Sequence, residues 1–259
     1  MIIQYHRPET IENALSLLRK PNTLPLGGGT LINTPAFLVP DATIVDLQGL
    51  GLTRILKRGK NLEIDACVTL QQLLESEYTS LSLKNSIRHE AAVNIRNMAT
   101  IAGSLVSCSG RSPLATMMLA LDAELSGFDY SSKGGPEQTK ISLGDYLPLR
   151  PSMLITKVKL PVNAITAYEQ VARTPGDKPI ICVALARWPS GRTRLALGGW
   201  GASPTLAMDG NDPAGSEAAA RNAAHAANDP WGSAEYRAAT AEILVRRCVL
   251  NLGDLENTR

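Results

Sequence analysis

Apolar and polar positions along this chain change period several times, and each change marks a predicted element. Ile2 to Tyr5 reads as a short strand, and Thr10 caps a helix whose apolar positions Ile11, Ala14, Leu15 and Leu18 recur at i, i+3, i+4 and i+7. Thr23 to Leu26 and the β-branched Thr43 to Leu47 complete a β-α-β unit. From Arg54 the pattern becomes a hairpin, Arg54 to Lys57 and Leu62 to Cys67 about Gly59-Lys60, followed by a helix capped by Thr69 with Leu70, Leu73 and Leu74 inward. Helical spacing returns from Leu81 to Val93, and Asn94 to Met98 reads as a loop. Ser112-Pro113 opens the next helix, cap then proline at the first turn, with Leu114, Met117, Met118 and Leu121 on one face.

Phe128 to Gln138 is small, polar and glycine-rich, which predicts an exposed hairpin tip without chemistry, ahead of a turn at Ser142 to Tyr146. Strand-like runs then recur at Met153 to Leu160, Ala164 to Ala172, Ile180 to Arg187 and Arg194 to Gly198, spaced as an antiparallel meander. Gly201 to Ser233 is rich in Ala, Gly, Asn, Asp and Pro. Glu235 to Asn251 reads as an amphipathic helix with Tyr236, Ala239, Ile243 and Val249 near one face.

A chain of 259 residues, 44% apolar with net charge +2, can bury a sizeable core. The absence of long basic runs with interleaved aromatics argues against nucleic acid as a partner. No apolar stretch approaches the roughly 20 residues of a membrane span, and Met1 to Arg7 does not read as a secretory leader, so a cytoplasmic location is expected. Cys67, Cys108, Cys182 and Cys248 lie about 40 to 75 residues apart, and His6, His89 and His225 are equally dispersed, so neither iron–sulfur nor zinc spacing exists and no metal site is expected. No side chain stands out as a catalytic acid, base or nucleophile, and an electron carrier here would have to be organic.

Two glycine-bearing runs carry the candidate chemistry: Leu26-Gly27-Gly28-Gly29-Thr30-Leu31-Ile32-Asn33 and Ala99-Thr100-Ile101-Ala102-Gly103-Ser104. Glycine adopts left-handed φ cheaply and lets successive amides converge on an anion. The first run is neither G-x-G-x-x-G nor a P-loop, since the third glycine and the Gly-Lys-Ser/Thr are both missing. Taken alone it reads first as a flexible strand-exit turn; taken with the second it suggests a seat for a dinucleotide, both runs offering amides to one diphosphate. Valine at position 28 would then block backbone approach to a ligand while the rest stays folded.

With both runs and the order of elements in view, the chain resembles the FAD-binding medium subunits of the molybdenum hydroxylases, the group of carbon monoxide dehydrogenase and xanthine dehydrogenase. That family's G-G-G-T signature followed by Asn is matched by Gly27, Gly28, Gly29, Thr30 and Asn33, and its T-I-G-G-N partly by Thr100, Ile101, Ala102, Gly103 and Ser104. Ala120 to Ala123, Arg150-Pro151, Leu160-Pro161, Tyr168, Arg173 with Asp177, Gly198-Gly199, and Tyr236-Arg237 ahead of Val245-Arg246-Arg247 follow in the family's order.

The resemblance implies an α+β fold of the vanillyl-alcohol-oxidase type. Residues 1–53 and 54–160 would form two FAD-binding subdomains, and 161–259 a carboxy-terminal domain of antiparallel strands and helices. It implies FAD, seated on Pro25, Leu26, Gly27, Gly28, Gly29, Thr30, Leu31 and Asn33, closed on the other side by Ala99, Thr100, Gly103, Ser104 and Ser112, with Ile155 at the adenine or flavin region. It further implies a molybdopterin-binding large subunit and a [2Fe–2S] small subunit as partners, with electrons leaving to NAD or another acceptor. Three departures stand at Ala102, Ser104 and Pro113, where relatives carry glycine, asparagine and an acid, with Ser109, Arg111 and Ser112 as possible substitutes. Tyr168-Glu169-Gln170 replaces Tyr-x-Lys, leaving no cation near the cofactor. The alternatives are a scaffold subunit that has lost FAD and a stand-alone flavin oxidase.

Overall fold

The computed structural model describes residues 2–34, 37, 39–131 and 135–257, the last four by backbone alone. Residues 132–134 of the expected hairpin tip lie outside that set. The first three strands, β1 (Ile2–His6), β2 (Thr23–Leu26) and β3 (Ala42–Asp46), form a parallel sheet of order β1-β3-β2, with helix α1 (Ile11–Leu18) packing Ala14, Leu15 and Leu18 inward. Thr10 caps α1 as its side chain predicts, accepting from the Asn13 amide. After β3 the chain turns through a short 3-10 segment, Leu47–Leu50, whose first turn is held by Asp46.

The second sheet is five-stranded and antiparallel, in the order β4-β5-β8-β6-β7, from β4 (Ile55–Arg58), β5 (Asn61–Asp65), β6 (Glu124–Asp129), β7 (Glu137–Ser142) and β8 (Met153–Pro161). The run at 153–161 therefore leaves the expected meander and joins the earlier hairpin, because Leu62, Ile64 and Leu125 offer it a buried face on either side. Between β5 and β6 lie α2 (Leu70–Glu75), α3 (Leu81–Glu90), α4 (Val93–Arg96), α5 (Ile101–Ser107) and α6 (Pro113–Ala120), and α7 (Leu143–Leu149) links β7 to β8. Thr69 and Gln72 make a reciprocal capping box at α2. Two expected irregular segments are helical instead: Asn94 to Met98 begins within α4, and the turn at Ser142 is the cap of α7.

The third sheet is the antiparallel meander β12-β11-β10-β9, built from β9 (Ile165–Val171), β10 (Ile181–Arg187), β11 (Thr193–Gly198) and β12 (Thr205–Gly210). It is buried on both faces, so β10 reads as an unbroken apolar run. Cys182, Ala184, Ala186 and Ala196 join the core around α6, while Ile181, Val183, Leu185, Leu195 and Leu197 join the core under α8 (Ser216–Ala223) and α9 (Ala234–Asn257). The face toward α6 is made of small residues because that helix lies close: a Cβ on Gly198 would come within 2.3 Å of Thr116 Oγ1. α6 itself is buried at every position rather than along one stripe.

The carboxy-terminal helix turns a different side inward from the one its pattern suggests. Arg237, Ala241, Leu244, Val245, Cys248 and Leu252 are buried, whereas Tyr236 and Ile243 are exposed. Arg237 decides the phase. Its guanidinium donates to the carbonyls of Ile180, Gly199, Ala227 and Gly232 and to Asp229 Oδ1 at 2.7 Å, joining the third sheet to the loop before α9. β12 and α8 both arise in the stretch whose small, polar composition masked them.

A four-membered ion network, Arg192 just before β11 and Arg194 on it with Asp209 on β12 and Asp122 after α6, ties that meander to the end of α6. The bidentate Arg192 holds the Asp209 carboxyl below its ordinary value, against the opposing effect of burial and with help from Arg194. A depressed carboxyl contributes stability above its unfolded value, 3.8, and loses it as pH falls through the folded value. Urea unfolding followed by tryptophan fluorescence should show wild type more stable than Asp209→Asn by a constant margin above about pH 5, with the margin shrinking below about pH 4.

Candidate functional site

The site grows from a contact between backbones. Gly27 and Gly28 leave β2 and press on the segment before α5: a Cβ on Gly28 would stand 1.7 Å from the Met98 carbonyl oxygen, and one on Gly27 2.7 Å from Thr100 Oγ1. Only glycine permits that approach. Gly29 adds a left-handed residue at φ +72°, after which Asn33 N–H closes a turn onto the Gly29 carbonyl at 3.3 Å. Gln48 Nε2 reaches the Gly27 carbonyl from the 3-10 segment. The two runs, 70 residues apart in sequence, therefore meet.

A cavity of about 410 Å³ opens beside this contact. Its wall takes Pro25, Leu26, Gly27, Gly28, Gly29, Thr30 and Leu31 from the first run, Thr100, Gly103 and Ser104 from the second, and Ile155 from β8. Asn33, Ala99 and Ser112 are not in it. Asn33 is exposed past the turn, and Ala99 uses its carbonyl to accept from Leu70 N–H. Ser112 caps α6 and donates to Glu90 Oε2 at 2.6 Å, and Glu90 also accepts from Leu114 N–H. The carboxylate at that helix start thus comes from Glu90, where the sequence carries Pro113.

The runs differ in what they can offer a ligand. Among the described residues, none of the amides from Gly27 to Ile32 finds an acceptor. Most of those of the second run are spent: Ala99 donates to Ile95, Ile101 to Val68, Ala102 to Ala66, Gly103 to Thr100 Oγ1 and Ser104 to the Thr100 carbonyl, and Thr100 N–H alone finds no acceptor among the described residues. The expectation that both runs present amides to one anion therefore narrows, on the second run, to the single N–H of Thr100. Thr100 caps α5, so the residues after it adopt ordinary helical geometry and contribute surface and the Ser104 hydroxyl rather than N–H groups. For the same reason alanine at 102 costs no backbone donor.

Several wall residues had no pattern to announce them. Cys67 follows β5, Tyr130 extends the β6–β7 hairpin that was expected to carry no chemistry, and Tyr146 and Arg150 sit on and just after α7. Burial, then Asp46 and Asp65, push the Cys67 thiol up to about 11, and burial raises the phenols of Tyr130 and Tyr146, so all three are neutral at physiological pH. Gln170, in the place of the missing lysine, accepts from the Tyr168 hydroxyl at 2.7 Å and is not in the wall. Among the described residues no group of three or more His, Cys, Asp or Glu stands together as a metal site, and no helix is long and apolar enough to cross a membrane.

Residues 1–163 match the family described as FAD binding domain in molybdopterin dehydrogenase. The chain is 29% identical to the carbon monoxide dehydrogenase medium chain of Afipia carboxidovorans, covering 95% of this chain and 94% of that one. It is 27% identical to the nicotine 6-hydroxylase medium subunit of Paenarthrobacter nicotinovorans, covering 97% of each. Its fold superposes on a chain of the crystal structure of the Cu,Mo-CO dehydrogenase in a cyanide-inactivated form, with TM-score 0.80, 25% identity and 96% of each chain covered. The α+β architecture of that fold is the one the sequence led us to expect.

The close contact also corrects the consequence foreseen for valine at 28, which would collide with the Met98 carbonyl and force the two runs apart before any ligand arrived. Even Gly28→Ala should cost about 1–3 kcal/mol in urea unfolding, as overpacking does. Gly176→Ala, where an added Cβ meets nothing within 4 Å, should leave the midpoint unchanged.

Proposed function

This chain belongs to the family of FAD-binding domains in molybdopterin dehydrogenases, and from that membership we propose that it is the FAD-binding medium subunit of a molybdenum hydroxylase-type oxidoreductase. The observation that carries the proposal is the row of amides from Gly27 to Ile32, without acceptors among the described residues, at the rim of the cavity. Gly27 to Thr30 and Ile32 are half-buried, where donors without acceptors are costly unless a ligand meets them, and a diphosphate supplies acceptors in the density that loop requires.

The residues present fit the cofactor. The amides from Gly27 to Thr30, with the Thr30 hydroxyl, hold the diphosphate, and Gly103 and Ser104 close the opposite side. Thr100 keeps the two runs in register through its contact with Gly27. Ile155, buried on β8, bounds the region of the adenine or flavin ring. When bound, FAD supplies reversible one- and two-electron chemistry, which is why this chain needs no catalytic acid, base or metal of its own. The chain's share is placement and the exclusion of water by apolar neighbours.

In this reading the chain works in a cytoplasmic hetero-oligomer with a molybdopterin-binding large subunit and a [2Fe–2S] small subunit, taking electrons from the clusters and passing them to NAD or another acceptor. The scaffold alternative draws on Ala102, Ser104 and Pro113, and the geometry removes much of its force. The Ala102 amide is already satisfied and Ser104 still presents a hydroxyl, whereas Glu90 serves the helix start at Pro113 from outside the cavity wall and does not restore an acid there.

Purified protein incubated with FAD and desalted should carry the absorbance bands of oxidised flavin. FAD at about 100 times its dissociation constant should raise stability by about 2.7 kcal/mol, read as an upward shift of the melting temperature. Colourless protein with no thermal shift at any FAD concentration would favour the scaffold.

A further inference from the structure

One charged side chain of the cavity wall has no part in the account so far. Among the described residues that line the cavity, Arg150 alone carries a formal charge. No described Asp, Glu, Lys or His joins it there, and the ionisable neighbours Cys67, Tyr130 and Tyr146 are neutral at physiological pH, burial raising them further above it. Its backbone is also unusual, with φ +43° and ψ +56° where α7 ends. Helix ends commonly give that left-handed position to glycine, and an L side chain there carries a conformational cost, so the arginine side chain repays it by what it contacts.

Those contacts converge on the end of a helix. Arg150 Nη1 donates to the Val106 carbonyl at 2.6 Å, and Nη2 to the carbonyls of Cys108 at 2.8 Å and Ala202 at 3.1 Å. Val106 and Cys108 close the carboxy end of α5, where unpaired carbonyls concentrate negative partial charge. Val106 and Ser107 themselves line the cavity. Left uncovered, that helix end would set a negative pole in the wall of a pocket meant for a diphosphate. Covered by a full positive charge, the same wall becomes attractive to an anion, and the Arg150 Nε hydrogen makes no bond to a described residue.

We propose that Arg150 is the charge-selecting residue of the cavity, making it favour a phosphate-bearing ligand over an uncharged flavin by masking the carboxy end of α5 and leaving the wall net positive. The inference rests on the FAD reading above and adds to it which residue discriminates between dinucleotide and riboflavin. Arg150 serves here as a specificity residue.

The test titrates FAD, ADP and riboflavin into wild type, Arg150→Met and Arg150→Lys by calorimetry, with far-UV circular dichroism as the check on folding. Loss of one charge-assisted contact should weaken FAD and ADP about 10- to 100-fold in Arg150→Met while riboflavin changes less than about two-fold, with Arg150→Lys falling between. Equal weakening of all three ligands, or Arg150→Lys behaving like Arg150→Met, would reduce Arg150 to a structural tie and overturn the inference while the FAD reading stands. Wild type that binds none of the three removes the FAD reading, and the inference with it. If Arg150→Met does not fold, the comparison of Arg150→Lys with wild type across salt decides. FAD and ADP affinities should fall with ionic strength in both and riboflavin's should not, and equal salt slopes for all three would overturn the inference.

Discussion

The close approach of two stretches of backbone, Gly27-Gly28 against Met98 to Thr100, is the constraint on which the remainder of the site depends. A methyl group at position 28 would overlap the Met98 carbonyl oxygen, so the first and second units can meet here only where side chains are absent. The contact sets the distance between β2 and α5, and with it the width of the cavity between them. Around it a small apolar cluster of Ala14, Leu15, Leu18, Val45, Leu47, Cys67 and Leu154 seals the same junction, with Phe128 and Tyr130 packed at its edge. Hydrophobic burial makes the junction stable, and the glycines decide its geometry.

The unpaired and paired amides of the two runs show how similar sequences come to different physical ends. Both contain small residues and a threonine, yet the first follows a strand and turns through a left-handed glycine, leaving its donors without partners. The second begins a helix that lies against the 66–68 segment, and every amide from Ile101 to Ser104 is consumed there or at the Thr100 cap. Tolerance of Ala102 follows directly: a helical position with a satisfied amide has no need of glycine.

Electrostatics in the cavity is dominated by one side chain because the other described ionisable groups in its wall are neutral at physiological pH. A thiol and two phenols line the wall without charge, and the carboxylates of Asp46 and Glu90 are engaged elsewhere, Asp46 with Tyr5 and Gln48, and Glu90 with Lys178 and the start of α6. In such a wall the end of a short helix and one guanidinium carry weight that they would lack in water. Arg150 also reaches Ala202 of the third unit, so the same residue that charges the cavity helps to hold the meander against it.

Local chemistry determined much of this protein directly. Thr10, Thr69 and Ser112 capped the helices they were read to cap, β-branched and alternating runs became strands, and the glycine run that led to the family does form one side of the cavity. Those signals need only neighbours within a few residues. Tertiary structure alone decided which face of α9 turns inward, since Arg237 finds five acceptors that exist only after the third sheet and its loops assemble. It likewise assigned 153–161 to the second sheet, brought Tyr130, Tyr146 and Arg150 into one wall, and kept Asn33, Ala99 and Ser112 out of it. Periodicity and capping are properties of a segment, whereas a free donor or a buried charge depends on which distant surfaces arrive beside it.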